Sequence, residues 1–165
     1  QLTGYGDASL YANLTTFATI GIGAIGSLFA GRLADHFGRT IVTMSAMLIS
    51  GSCAALIGLF YGGSPTILIV ICLIWGLSVI ADSAQFSTCI IELSPANIIG
   101  TMLTIQTCTG FLISLATIHL VPVVASSAGW EFAFLPLAIG PLLGTYAMWQ
   151  LRYHPDAYKL AGGNK

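Results

Sequence analysis

Charged side chains are scarce in this chain: five Lys or Arg and six Asp or Glu among 165 residues. Two of the basic residues share one short stretch, Gly31-Arg32-Leu33-Ala34-Asp35-His36-Phe37-Gly38-Arg39-Thr40. Gly31 and Gly38 permit a tight turn, and Asp35 can cap a helix start or pair with Arg39 or a neighbouring helix end. A cluster of this kind can latch one conformation and release in another. A second set, Trp75, Ser78, Asp82, Gln85, Cys89 and Glu92, recurs at steps of three and four, which places it on one face of a helix. A carboxylate such as Asp82 within an apolar helix is costly unless it is paired, protonated or in a water cavity. It reads as the ion-pair partner of Arg39 or as a residue of a polar pathway. His119 reads as a hydrogen-bonding group at a membrane interface, with proton coupling as the alternative; His36 and His154 read as solvated.

Other chemistry finds little support. Gly21-Ile22-Gly23-Ala24-Ile25-Gly26 matches a dinucleotide-binding fingerprint by letter. That fingerprint needs a preceding strand and an acidic residue about 20 positions on, and residues 44–50 hold no acid. Gly23, Ser27 and Gly31, at steps of four, read instead as a small-residue ridge for close helix packing. The four cysteines, Cys53, Cys72, Cys89 and Cys108, are far apart and inside apolar runs, so they read as small hydrophobes. No catalytic set, metal-ligand spacing or ATP-binding loop is evident, so no enzyme activity, metal or cofactor is expected. A formal net charge of −1 gives no basic footprint for nucleic acid.

The elements that hold these residues are membrane spans. The chain is 56% hydrophobic and 7% charged, against roughly 25% charged in soluble domains. Spanning a bilayer takes about 20 mostly apolar residues, and five segments qualify, at about 9–30, 40–61, 66–90, 98–124 and 130–151. The charged stretch 31–40, Gly62-Gly63-Ser64-Pro65, residues 92–97 and residues 126–131 separate them with turn and helix-start signals. An all-α, polytopic fold follows, because lipid cannot satisfy an open backbone. Counting five crossings puts Arg32, Arg39, Arg152, Lys159 and Lys165 on one side, which the positive-inside rule makes cytoplasmic. Asp7 and Glu131 fall on the other side. Residues 1–8 then read as the end of an extracytoplasmic loop and 152–165 as a cytoplasmic tail. Beginning at Gln1, the chain reads as the downstream piece of a longer polypeptide. Small and polar stripes run along the first span (Asn13, Thr16, Gly23, Ser27) and the fourth (Gly100, Thr104, Thr107, Gly110, Ser114, Thr117), serving either helix packing or a polar path.

Gly31-x-Leu33-Ala34-Asp35-x-x-Gly38-Arg39 resembles the signature loop of the major facilitator superfamily, between the second and third helices of each six-helix half. The match departs at Thr40, where a second basic residue is common. Glu92-x-x-Pro95 and Gly100 resemble the next cytoplasmic connection, with Ile99 where an Arg normally precedes the glycine. Gly129-Trp130-Glu131-Phe132 resembles the entry to the last helix of a half. The resemblance covers nearly the whole chain and implies helices two to six of one half, with the tail favouring the carboxyl-terminal half. It further implies secondary transport of a small solute by alternating access, with protons as a candidate co-substrate. Arg32 and the rest of the loop 31–40 would gate the cytoplasmic side. Trp75, Ser78, Asp82, Gln85, Asn13, Thr16, Thr107 and Ser114 would contribute to the path. The expected partners are the bilayer, the missing half and the solute; the expected location is the cell (inner) membrane. A non-transporting membrane scaffold is the alternative, followed by a membrane-embedded enzyme.

Overall fold

The apolar runs become helices because a chain poor in charge and rich in Leu, Ile and Ala satisfies its backbone only within itself. The computed structural model describes the backbone of residues 5–163 and side chains from Ser9 onward. Residues 1–4 and 164–165 lie outside the described residues, and so does the side chain of Asp7. The long helices are α1 (Tyr5–Phe37), α2 (Arg39–Leu56), α3 (Pro65–Leu93), α4 (Ile99–Ala128) and the shorter α5 (Ile139–Arg152). Short 3₁₀ turns cover Ile57–Phe60 and Leu135–Ala138, and Pro155–Gly163 begins as 3₁₀ and leaves helical geometry at Leu160, Ala161 and Gly162; no strand occurs among the described residues.

Four helices, α1 to α4, are long and apolar enough to cross a bilayer, α2 counted with its 3₁₀ extension. The fifth apolar run is a broken element. Residues 130–134 form turns, Leu135–Ala138 is 3₁₀ and α5 has 14 residues. Pro136 stands at the start of the 3₁₀ turn and Pro141 near the start of α5, positions that tolerate a residue without an N–H donor. At about 1.5 Å per α residue and 2.0 Å per 3₁₀ residue, Leu135–Arg152 still extends about 29 Å. It runs along α2. Phe134 meets Trp75 edge to face at 6.0 Å at one end, and Arg152 Nη1 donates to Thr40 Oγ1 at 3.1 Å at the other.

Packing centres on α1, α2 and α3. α1 and α3 run parallel and cross at glycines. A Cβ added at Gly23 would come within 2.8 Å of the Gly76 carbonyl oxygen, and one at Gly26 within 2.6 Å of the Leu77 carbonyl oxygen. A Cβ on Gly76 would strike Thr19. The ridge therefore runs Gly23, Gly26, Ala30 and Ala34, one residue out of step with the expected Gly23, Ser27, Gly31; Gly31 has open space around it. α2 and α3 are antiparallel, with Trp75 Nε1 donating to Ser50 Oγ at 3.2 Å and Arg39 Nη1 to Gln85 Oε1 at 2.8 Å. α4 stands apart and has no buried residue.

Two boundaries differ from the sequence reading. Residues 5–8 already belong to α1. The charged stretch 31–40 is not a loop: α1 stays helical through Phe37, and the whole reversal falls on Gly38, at φ 98° and ψ 135°. Only glycine adopts that conformation without strain. Asp35 accordingly lies in the last turn of α1 and is not the N-cap of α2, which is Gly38.

Candidate functional site

Gly38 turns the chain so sharply that Arg39, the first residue of α2, is carried inward and is 5% exposed. A buried guanidinium needs partners for its donors, and three side chains on two helices supply them. Glu92, near the end of α3, takes the guanidinium in a two-pronged grip, Nε to Oε2 at 2.9 Å and Nη2 to Oε1 at 2.7 Å. Planar forks of this kind are the strong form of ion pair. Gln85 accepts from Nη1 at 2.8 Å, and Asp35, one turn back across the corner, accepts from Nη2 at 3.3 Å. The Arg39 carbonyl accepts from Thr43 Oγ1 at 2.8 Å.

The segment after α5 completes the cluster. It is no free tail. Leu160 and Ala157 are fully buried, Leu160 in a cluster with Met47, Cys89 and Met148. Ala161 is held in a left-handed conformation (φ 46°), and its N–H donates to Glu92 Oε2 at 3.0 Å. Lys159 Nζ and Asp156 Oδ1 pair at 2.8 Å on the outer side; their hydrogen bond draws the Asp156 carboxyl below its ordinary range and raises the Lys159 ammonium. Thr40, where the resemblance leads one to expect a base, is fully buried and accepts from Arg152. The cation beside this corner thus comes from the end of α5. Arg32, Asp35 and His36 are exposed. Leu33 is 42% exposed, Ala34 fully buried.

Of the second connection, Glu92 is in the cluster, while Pro95 and Gly100 are exposed. Pro95 forces the preceding Ser94 into an extended conformation that ends α3. The α3 stripe divides. Trp75, Ser78 and Gln85 lie in the packed interface with α2, Ser78 returning its hydroxyl to the Ile74 and Trp75 carbonyls at 3.0 and 2.9 Å. Asp82, read from the sequence either as a partner of Arg39 or as a residue of a polar pathway, makes no pair with Arg39. It is 8% exposed and accepts from Ser83 Oγ at 3.2 Å. Asn13 and Thr16 on α1, and Thr107 and Ser114 on α4, are exposed. His119 is exposed, its Nδ1 2.8 Å from the Leu115 carbonyl. A groove of about 400 Å³ between α1, α2 and α3 is walled by Phe29, Leu33, Phe37, Ile41 and Leu77, with Ser45 and Ser78 as its polar contacts. The described residues contain no cluster of three or more metal-ligating side chains.

The profile of the sugar (and other) transporter family matches residues 2–155. The chain belongs to this family. It is a multi-pass membrane transporter of the major facilitator superfamily, handling sugars or other small solutes across the lipid bilayer. The family is one of transporters rather than enzymes. No curated protein and no solved structure matches the chain. Sequence reasoning missed Leu160 and Ala161 as parts of the transporter's charged end. Their signal is small: one Leu in a polar tail, followed by Ala161-Gly162-Gly163, whose φ values are all positive.

Proposed function

We propose that this transporter works by alternating access, and that the chain supplies helices eight to twelve of a twelve-helix molecule in the cell (inner) membrane. The Arg39 corner and the carboxyl terminus face the cytoplasm in this reading, and the corner is the gate. The observation that carries it is the convergence on Arg39 and Glu92 of three segments far apart in sequence: the α1–α2 corner, the end of α3 and the stretch around Ala161. A cluster of this build is bistable. Separating its members leaves charges without partners at a cost of several kcal/mol, so the segments move together or stay together, as rocking of two halves requires.

The missing amino-terminal half would lie against the exposed polar faces of α1 and α4, making Asn13, Thr16, Thr107 and Ser114 contributors to the path. Trp75, Ser78 and Gln85 join α3 to α2 and would move with it. Gly31, Arg32, Leu33, Ala34, Asp35, Gly38 and Arg39 form the gating corner, with Glu92, Pro95 and Gly100 on its other side. The test is Asp35→Asn in the full-length protein, read by uptake of labelled D-glucose and other monosaccharides into cells. Asp35 is exposed at the edge of the cluster, so the variant should insert and fold while uptake stalls. Normal uptake by the inserted variant would remove the gate from this corner.

A further inference from the structure

We infer that the groove between α1 and α2 is a binding site for one anionic phospholipid, with an acyl chain lying in the groove and the phosphate held by Arg32. The groove has a volume of about 400 Å³. Phe29, Leu33 and Phe37 form its α1 wall, Ile41 and Ile49 its α2 wall, and Leu77 of α3 stands on its floor. Its lining is almost wholly hydrocarbon, and it is open outward: each of these wall residues is exposed.

The length of the groove fits an acyl chain. On α1 the lining runs from Gly26 to Phe37, about 16 Å of helix. That is about half of the roughly 30 Å hydrocarbon core of a bilayer, the depth of one leaflet. The groove begins at the Gly38 corner between the two helices, so it runs from one membrane surface towards the midplane. An extended peptide in the same slot would leave its backbone groups facing hydrocarbon. The amino-terminal half does not compete for this face. At about 100° per residue, Asn13 and Phe29 point to nearly opposite sides of α1, so the polar side assigned above to the missing half and the groove are different faces.

Charge selects the headgroup. Arg32 is exposed, and no hydrogen bond or ion pair to its guanidinium occurs among the described residues. It adjoins Leu33 of the groove wall and lies about 7 Å along the axis from Phe37, so its side chain can snorkel along the rim to headgroup level. His36, one turn further on, is exposed on the same strip of α1. Asp35, the nearest acid in sequence, is bonded to Arg39. A guanidinium grips phosphate with two parallel donors, and a phosphodiester that carries no ammonium of its own leaves that charge free for Arg32. Basic groups at a cytoplasmic surface attract anionic lipids in the same way.

The choice of leaflet rests on the orientation proposed above. The site itself does not, and it is testable without transport. Full-length protein in phosphatidylcholine vesicles would be photolabelled with a trace of phosphatidylglycerol carrying a diazirine on its acyl chain, or with phosphatidylcholine carrying the same chain, and the labelled residues mapped by mass spectrometry. Phosphatidylglycerol should label Leu33, Phe37 and Ile41 about fivefold more than phosphatidylcholine does, the worth of one basic residue near an anionic lipid. At Leu143, an exposed residue of α5, the two lipids should label equally. Arg32→Gln should bring them level in the groove as well, while Arg32→Lys, which keeps the charge, should retain the preference. Ser45→Phe, which puts a ring into the groove, should lower labelling there by both lipids. The same preference at Leu143 as in the groove overturns the site. A preference that survives in Arg32→Gln, or is lost as completely in Arg32→Lys, overturns the headgroup assignment. Loss of the preference in excess inorganic phosphate at constant ionic strength would make Arg32 a site for free anions and overturn the lipid reading. None of these outcomes depends on uptake, so failure of the gate reading would leave them unchanged.

Discussion

α3 and α4 carry polar residues at the same helical spacing, and the two stripes meet opposite fates. On α3 the stripe is buried: Ser78 and Gln85 are each 2% exposed, and Trp75 and Gln85 reach across to α2. On α4, Thr104, Ser114 and Thr117 turn their hydroxyls back to their own helix, to the carbonyls of Gly100, Gly110 and Ser114 at 2.8–2.9 Å, and no residue is buried. Periodicity tells which residues share a face. It does not tell whether another helix covers that face. The difference lies in the partner: α2 presents Arg39 and Ser50 to α3, whereas among the described residues α4 meets little besides Gln106 on Ser87.

The largest effect should come from breaking the buried end of the α3 stripe. Arg39→Ala leaves Glu92 holding a charge with its guanidinium gone, and removing one partner of a buried pair costs about 3–5 kcal/mol. Unfolding in mixed micelles should show a loss of that order. A loss below about 1 kcal/mol, the level of exposed pairs, would mean that the cluster is effectively solvated and that the α3 face is no more closed than that of α4.

The glycines sharpen the same contrast with smaller numbers. Gly76→Ala puts a methyl group into Thr19 of α1, and overpacking of this kind costs about 1–3 kcal/mol. Gly110→Ala meets nothing within 4 Å and gains about 0.5–1 kcal/mol of helix propensity. The two changes should therefore move thermal stability in opposite directions. Equal shifts would place α4 in a packed environment like that of α3.

The helices themselves were legible, because four long apolar runs bounded by Gly, Pro and charge admit few alternatives. So was the grouping of Arg39 and Arg152 at one end, where Arg152 donates to Thr40 beside Arg39. Three features were not. The charged stretch reads as a loop by polarity, yet α1 runs through it to Phe37, and one glycine with φ 98° makes the turn. The segment 130–151 is apolar enough for a continuous helix, but Pro136 opens a 3₁₀ turn and Pro141 stands in the first turn of α5 within it. Asp35 was legible as a partner of Arg39, but its partners on α3 were out of reach because Asp82, Gln85 and Glu92 share one face, and only the register of α2 against α3 decides which of them the guanidinium meets.

The smallest change in stability should come from the α4 stripe, and it is the most telling for function. In Thr107→Val with Ser114→Ala, the exposed polar groups are lost while no buried contact is touched, since both residues are exposed and Ser114 bonds its own helix. Surface substitutions of this sort stay within about 0.5 kcal/mol, so folding and insertion should match the wild type. If the face is the wall of a solute path, uptake should still fall, through a raised KM, because the lost hydroxyls would have met the solute's own polar groups. Insertion without any change in uptake would make α4 a lipid-facing helix whose Ser and Thr residues serve its own backbone, and the path would then have to run along α1.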